Sequence, residues 1–275
     1  MTLMAEDHDR TDDAGEQMTG TDGQGHVRTE VSAGVATVCL DRPPVNAVSI
    51  STLAEIRDAF RQLEPRRDIG AVIFTGAGTS AFMAGADLES AGSSQTQPDP
   101  GLIAREAMWA ILDFPVPVVA AVNGPAVGAG LAFAACCDII LAAEHATFST
   151  PEINVGLLGA SAHLSLMVGR HKAREMFFLG EKITAAELHR LGAVRSVLPS
   201  DQLMGAAAEL AAQLASKSPI AMRLAKESMN RVEGMPLKEA YRIEQDYTNR
   251  LLGFEDSDEA RRAFLEKRDP VWRWR

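Results

Sequence analysis

No stretch of the 275 residues approaches the roughly 18 consecutive apolar residues that a membrane-spanning helix needs, so no membrane partner is expected. The first ten residues, MTLMAEDHDR, are acidic and carry no apolar core of the kind a secretory signal has. Cysteine is scarce: Cys39, Cys136 and Cys137 make an odd count with no C-x-x-C spacing, which argues against a disulfide framework or a zinc site. A reducing cytoplasm is the expected setting. His8, His26, His145, His163, His171 and His189 contain no H-x-x-x-H pair, so no metal site is expected. Basic residues are outnumbered, 27 Lys and Arg against 37 Asp and Glu, so nucleic acid is not an expected partner.

What is present is a chain with 46% apolar residues, enough for one sizeable core. The net charge of −10 is unevenly placed, because residues 1–25 hold seven acids against the single base Arg10. Such a segment cannot bury enough apolar surface to offset its ordering entropy, and 1–25 is expected to be a disordered acidic tail.

Beyond the tail, VRTEVSAGVATVCL (27–40) alternates about Ala33-Gly34 and predicts a β-hairpin. Ser49 or Ser51 opens a helix whose apolar residues Leu53, Ile56, Phe60 and Leu63 step by three and four. Buried strands are expected at 71–75 and 116–122, with a surface loop at 91–101 and a helix through Met108 and Ile111. A short apolar helix ends near Cys137, and strands follow at 139–142 and 146–149. After Pro151 the pattern is helical, roughly 160–168, 171–179, 185–191, 202–216, 219–232, 236–252 and 257–267. No linker or internal repeat divides the chain, so 26–268 reads as one α/β domain whose last third, about 200–268, is helical. Residues 269–275 form a second tail, and Trp272 and Trp274 within it have no reading from sequence.

Two glycine-rich turns follow the two buried strands. Gly76-Ala77-Gly78-Thr79-Ser80-Ala81 fits G-x-G-x-x-A, but a dinucleotide site also requires a helix opening there and an acid at a strand end about 20 residues on. The chain instead continues FMAGADL, and Asp99 lies in a proline-containing loop, so a plain turn is expected. In Phe82–Leu88 the small residues Ala84, Gly85 and Ala86 let a ligand reach the backbone. Asn123–Gly130 does the same and opens a helix, whose first N–H groups have no intrahelical acceptor. The two turns can aim two donors at one oxygen, or each can be a tight connection and nothing more.

AFMAGADL, VNGPAVGAG about 40 residues later, and CDIILAAEHATFSTPEI beyond it together resemble the enoyl-CoA hydratase/isomerase (crotonase) superfamily, from about Val27 to Arg268. The resemblance implies a crotonase-like spiral of repeated ββα units with a helical C-terminal trimerisation region, and homotrimers or dimers of trimers. It implies an acyl-CoA thioester substrate, with coenzyme A present only as part of that substrate and no separate cofactor. By the same resemblance the oxyanion-hole donors are the N–H groups of Ala84 and Ala129. Ala84 to Asp87 are implied to line the CoA adenine pocket, Leu88 and Gly130 to be among the substrate and CoA contacts, and Phe264 and Lys267 to reach the CoA of a neighbouring subunit; for Lys267 a solvated helix face is the other reading.

The family's hydratases use two glutamates. The one in the P-E-I motif is matched by Pro151-Glu152-Ile153, whereas Ala132 stands where the other falls. Water addition needs a base and a proton source, and losing one typically costs about 10²–10⁴-fold. A single carboxylate suffices for isomerisation, removing a proton from one carbon and returning it to another, so Glu152 is the expected proton carrier and isomerisation-type chemistry is favoured. A hydratase of modest rate, a C–C hydrolase or a non-catalytic acyl-CoA carrier are the alternatives. The segment after P-E-I, GLLGASAHL, is shorter by about three residues than in typical hydratases; together with Tyr241-Arg242-Ile243-Glu244-Gln245 it resembles an actinobacterial subset, some of which cleave C–C bonds in β-keto acyl-CoA rings. His163 there is placed with the substrate contacts and could assist such chemistry, or be a packed helix histidine. G-A-S-A-H lacks the final glycine and the preceding strand of a nucleophile elbow.

Overall fold

The computed structural model of the chain describes residues 16–19, 25–87 and 100–275. A seven-stranded sheet runs in the order β1-β2-β3-β4-β5-β7-β10, and a three-stranded sheet in the order β6-β8-β9. Strands β2 (Val27–Ser32) and β3 (Val35–Leu40) form the hairpin that the alternation predicts, turning at Ala33 and Gly34, both at positive φ. From β3 onward the large sheet is parallel: β3 pairs β4 (Ala71–Gly76), β4 pairs β5 (Val118–Val122), β5 pairs β7 (Ile139–Ala143), and β7 pairs β10 (Ser196–Leu198). Every residue of β4 and β5 is buried, which is why both read as unbroken apolar runs rather than alternating ones.

The tail expectation needs one correction. Glu16–Thr19 forms β1, antiparallel to Arg28–Val31 at the edge of β2, so main-chain pairing orders these four residues where composition predicted disorder. Residues 1–15 and 20–24 lie outside the described residues, as does 88–99, which takes in most of the expected loop 91–101.

Helices cover the sheet. Ser49 caps α1 (Ile50–Leu63), its Oγ accepting from the N–H of Thr52 at 3.3 Å. α2 (Pro100–Leu112) packs against α1, and α3 (Ala129–Ala135) follows the two-residue strand β6 (Ala126–Val127). After β8 (Thr147–Ser149), Pro151–Val155 makes a single 3-10 turn. α4 (Ser161–Leu179) is one helical run interrupted at Gly169 (φ 73°, ψ 170°), where sequence predicted two helices with a break at the same place. β9 (Lys182–Thr184), α5 (Ala185–Arg190) and β10 lead to α6 (Ser200–Ala215), which packs on β4, β5 and β7. α7 (Pro219–Val232), α8 (Leu237–Leu252) and α9 (Glu255–Glu266) complete the helical third.

The feature of the core that matters for the site is a chain of rings centred on Phe74 of β4. Its centroid lies 5.8 Å from Phe60 of α1, 5.5 Å from Phe82 and 6.0 Å from Phe133 of α3, and all four rings are fully buried. Phe82 introduces the first small-residue turn and Phe133 lies in the helix opened by the second. One strand residue therefore fixes the depth of both turns.

Candidate active site

The two small-residue turns lie side by side. Met83 bridges Ala126 in parallel; its carbonyl accepts from Val127 N–H at 2.9 Å, and its own N–H donates to Pro125 O at 3.3 Å. Gly130 belongs to this contact, because a Cβ there would collide with the Met83 carbonyl. On the other side the first turn is laced to Val45–Val48. Val48 N–H donates to Gly85 O at 2.9 Å, and Asp87 N–H to Val48 O at 2.9 Å. The Arg42 guanidinium then ties both strips together, reaching Asp87 Oδ2 at 2.8 Å and Ala47 O at 2.7 Å.

Gly76–Ala81 is a plain turn, as the sequence predicts. Its carbonyls are occupied: Asn46 Nδ2 donates to Ala77 O at 3.1 Å and Ala81 O at 2.8 Å, and Asn123 Nδ2 donates to Gly78 O at 2.7 Å. A phosphate cradle of the dinucleotide type also needs a helix opening at the loop, and none does: bends at 77–80 lead directly into the turn that contains Met83 and Ala84.

The two expected oxyanion donors differ in state. Ala129 is the first residue of α3, where an N–H has no intrahelical acceptor, and no acceptor for it occurs among the described residues. The N–H of Ala84 instead donates to Val45 O at 3.1 Å. Ala86 is exposed beside it, and Asp87 is committed to Arg42. Leu88 lies outside the described residues.

Glu152 stands on the 3-10 turn, held by Leu157 N–H donating to its carbonyl at 2.9 Å. Its carboxylate lies against Gly128, the residue just before Ala129. A Cβ on Gly128 would overlap Glu152 Oε1, and Gly128 has φ 54° and ψ −110°, outside the region a side chain allows. A Cβ on Gly159 would lie 3.6 Å from the same oxygen. The other oxygen, Oε2, is buried with no partner. Burial raises the Glu152 carboxyl above the usual range, opposed in part by a hydrogen bond from its own backbone.

His163 sits in the first turn of α4, which packs on α3 and on the 3-10 turn. It is half-buried, its Nδ1 is buried without a partner, and burial lowers its imidazole below the ordinary histidine value. Ala132 of α3 is 1% exposed, so the helix offers a methyl group where a second carboxylate was sought. Phe264 and Lys267 are exposed on α9 and just beyond it, and no hydrogen bond or ring contact among the described residues links them to Ala84, Ala129 or Glu152.

Sequence reasoning missed Arg42, Val45, Asn46 and Gly128. The run R-P-P-V-N-A (42–47), a rigid prolyl turn with a polar residue at each side, was the available signal for the first three. Gly128 was seen only as a small residue, whereas its positive φ is what lets the Glu152 carboxylate come beside α3. Among the described residues no group of three metal-ligating side chains occurs, and no helix is long and apolar enough to cross a membrane.

The family model described as enoyl-CoA hydratase/isomerase matches residues 30–275. A Dictyostelium discoideum protein named probable enoyl-CoA hydratase, mitochondrial, is 36% identical over 249 residues, 89% of each chain. A Mycobacterium tuberculosis protein named (7aS)-7a-methyl-1,5-dioxo-2,3,5,6,7,7a-hexahydro-1H-indene-carboxyl-CoA hydrolase is 36% identical over 244 residues, 87% of this chain and 98% of that one. The crystal structure of an enoyl-CoA hydratase from Bacillus anthracis superposes with a TM-score of 0.83 at 30% identity, covering 90% of this chain and 98% of that one.

Proposed function

Since this chain belongs to the enoyl-CoA hydratase/isomerase family, we propose that it acts on acyl-CoA thioesters through an enolate, with Glu152 as its only carboxylate proton carrier. The observation that carries the reading is the position of Glu152: a half-buried carboxylate with one unpartnered oxygen, set against the residue that precedes the free Ala129 N–H.

Removing a proton beside a thioester puts negative charge on the thioester oxygen. A donor fixed in advance where that charge appears lowers the barrier by about 3–4 kcal/mol. Ala129 N–H is such a donor, backed by the positive end of α3. Ala84 N–H joins it by sharing or exchanging its Val45 carbonyl for the thioester oxygen, which is the stronger acceptor once charged. Glu152 takes the proton, and its raised affinity for protons helps it keep and return that proton within the same substrate. One carboxylate completes a shift of unsaturation along the acyl chain, so an isomerisation-type step is the favoured reaction. Coenzyme A enters as part of the substrate, and the steps require no other cofactor. Hydrolysis of a ring C–C bond is the second reading, favoured by the 36% identity to the mycobacterial hydrolase.

Exchange of the substrate α-proton with deuterated water tests the shared step. Glu152→Gln keeps the shape and removes the basicity, so exchange should fall by at least about 10²-fold while acyl-CoA affinity changes little. Exchange as fast as in the wild type would remove Glu152 from the role.

A further inference from the structure

Four buried side-chain polar atoms among the described residues have no hydrogen-bond partner, and three of them are neighbours by element: Thr150 Oγ1, Glu152 Oε2 and His163 Nδ1. Thr150 and Glu152 flank Pro151 at the head of the 3-10 turn, and His163 is in the first turn of the helix packed on it. Unpaired buried polar groups are rare in folded chains, because each one loses its hydration without compensation, so three on two packed elements call for a polar reactant that they serve. The direction of His163 agrees. Ser161, Ala162 and Ser165 open onto a surface groove with Phe178, while Leu164 and Met167 are buried, and His163 is on the inward side with them. α4 as a whole packs on α3, whose Ala132 contributes no proton-transfer group.

We infer that His163 is a second catalytic residue, a general base that activates water opposite Glu152, so that the site adds water to an α,β-unsaturated acyl-CoA without a second carboxylate. The inference rests on the enolate reading above and extends it to a second reactant. The neutral imidazole takes a proton from water at Nδ1 as the water oxygen bonds to Cβ. The C=C electron pair moves toward the thioester carbonyl, giving the enolate. Protonated Glu152 then delivers its proton to Cα, and solvent removes the imidazole proton and restores the one on Glu152. Burial favours this assignment in both groups, since it holds the imidazole neutral and makes the carboxylic acid easier to retain.

Two rates measured on one preparation test it: deuterium exchange at Cα of a β,γ-enoyl-CoA, and incorporation of ¹⁸O from labelled water into an α,β-enoyl-CoA. In His163→Gln the ratio of water addition to exchange should fall by at least about 10²-fold. An unchanged ratio overturns the inference, and so does an equal collapse of both rates, which would make His163 a positioning residue for the whole site. Should the glutamine variant fail to fold, the wild type alone decides: absence of ¹⁸O incorporation overturns the role of His163 and leaves the exchange activity of Glu152 standing. Loss of exchange in Glu152→Gln with normal behaviour of His163→Gln would overturn the role of His163 while leaving the enolate reading intact.

Discussion

At the scale of single residues, the placement that suits Glu152 to the proposed proton transfer also carries a stability cost. Burial disfavours its charged form, so its carboxyl holds a proton more tightly in the folded chain than in the unfolded one. Below the unfolded value of about 4.3 both states are protonated and the group is neutral to stability. As pH rises past that value the unfolded chain gives up the proton first, and folded stability declines until the folded group has ionised as well. Glu152→Gln has no proton to lose. Its Tm should therefore exceed that of the wild type at pH 7, with the gap closing toward about pH 4. Circular-dichroism melts of both proteins across that range check it, and a gap independent of pH would mean that the charge is not its source.

At the scale of elements, residues 269–275 prove to be a strap rather than a loose tail. The buried carboxylate of Asp256, at the start of α9, accepts from Arg273 N–H at 2.8 Å and Trp274 N–H at 2.9 Å, while Asp256 N–H donates to Arg275 O at 2.9 Å. The Trp274 ring then lies 5.1 Å from the Arg223 guanidinium and 5.8 Å from that of Arg67, beside Ile220, Leu224 and Tyr247. Trp272 Nε1 donates to Ser216 O at 3.2 Å. The strap joins α9 to α7 and to Arg67 in the loop after α1. Trp274→Ala and Asp256→Ala should each lower stability by about 1–3 kcal/mol, read from urea midpoints, through lost cation–π contact and unpaired N–H groups respectively. A midpoint within error of the wild type for both would show that the strap carries no load.

These same elements show where sequence stops speaking. The helix 219–232 was legible because Ser218 and Pro219 announce its start locally, and the break at Gly169 because glycine alone takes that backbone angle. Strands of three residues, β9 and β10, carry too few alternations to register and exist because neighbouring strands pair with them. Within the site, the two small-residue turns and Glu152 were legible from motif and chemistry. The Arg42–Asp87 pair, the Val45 carbonyl on Ala84 and the strap were not, because each joins residues separated by 17 to 45 positions or more with no local pattern to mark it.

At the scale of the whole molecule, large apolar side chains remain exposed on α4, α8 and α9 and on the segment before α4. Phe264 is 82% exposed, Leu158 and Leu237 are each 81%, and Leu166, Phe178 and Leu265 accompany them. The trimer or pair of trimers that the sequence resemblance implies would cover side chains of this kind. Sedimentation at micromolar concentration should return three or six times the chain mass of 29.5 kDa. A stable monomer would count against self-association and against any contribution of Phe264 or Lys267 to a neighbouring subunit.

The cluster around Phe74 has a thermal corollary. Because Phe82 and Phe133 both rest on that one ring, a displacement of β4 reaches both turns at once. Activity and the folded signal are therefore expected to be lost together on warming. Parallel heating curves of acyl-CoA turnover and circular dichroism check it, and activity lost well below the melting midpoint would show that the turns loosen while β4 holds.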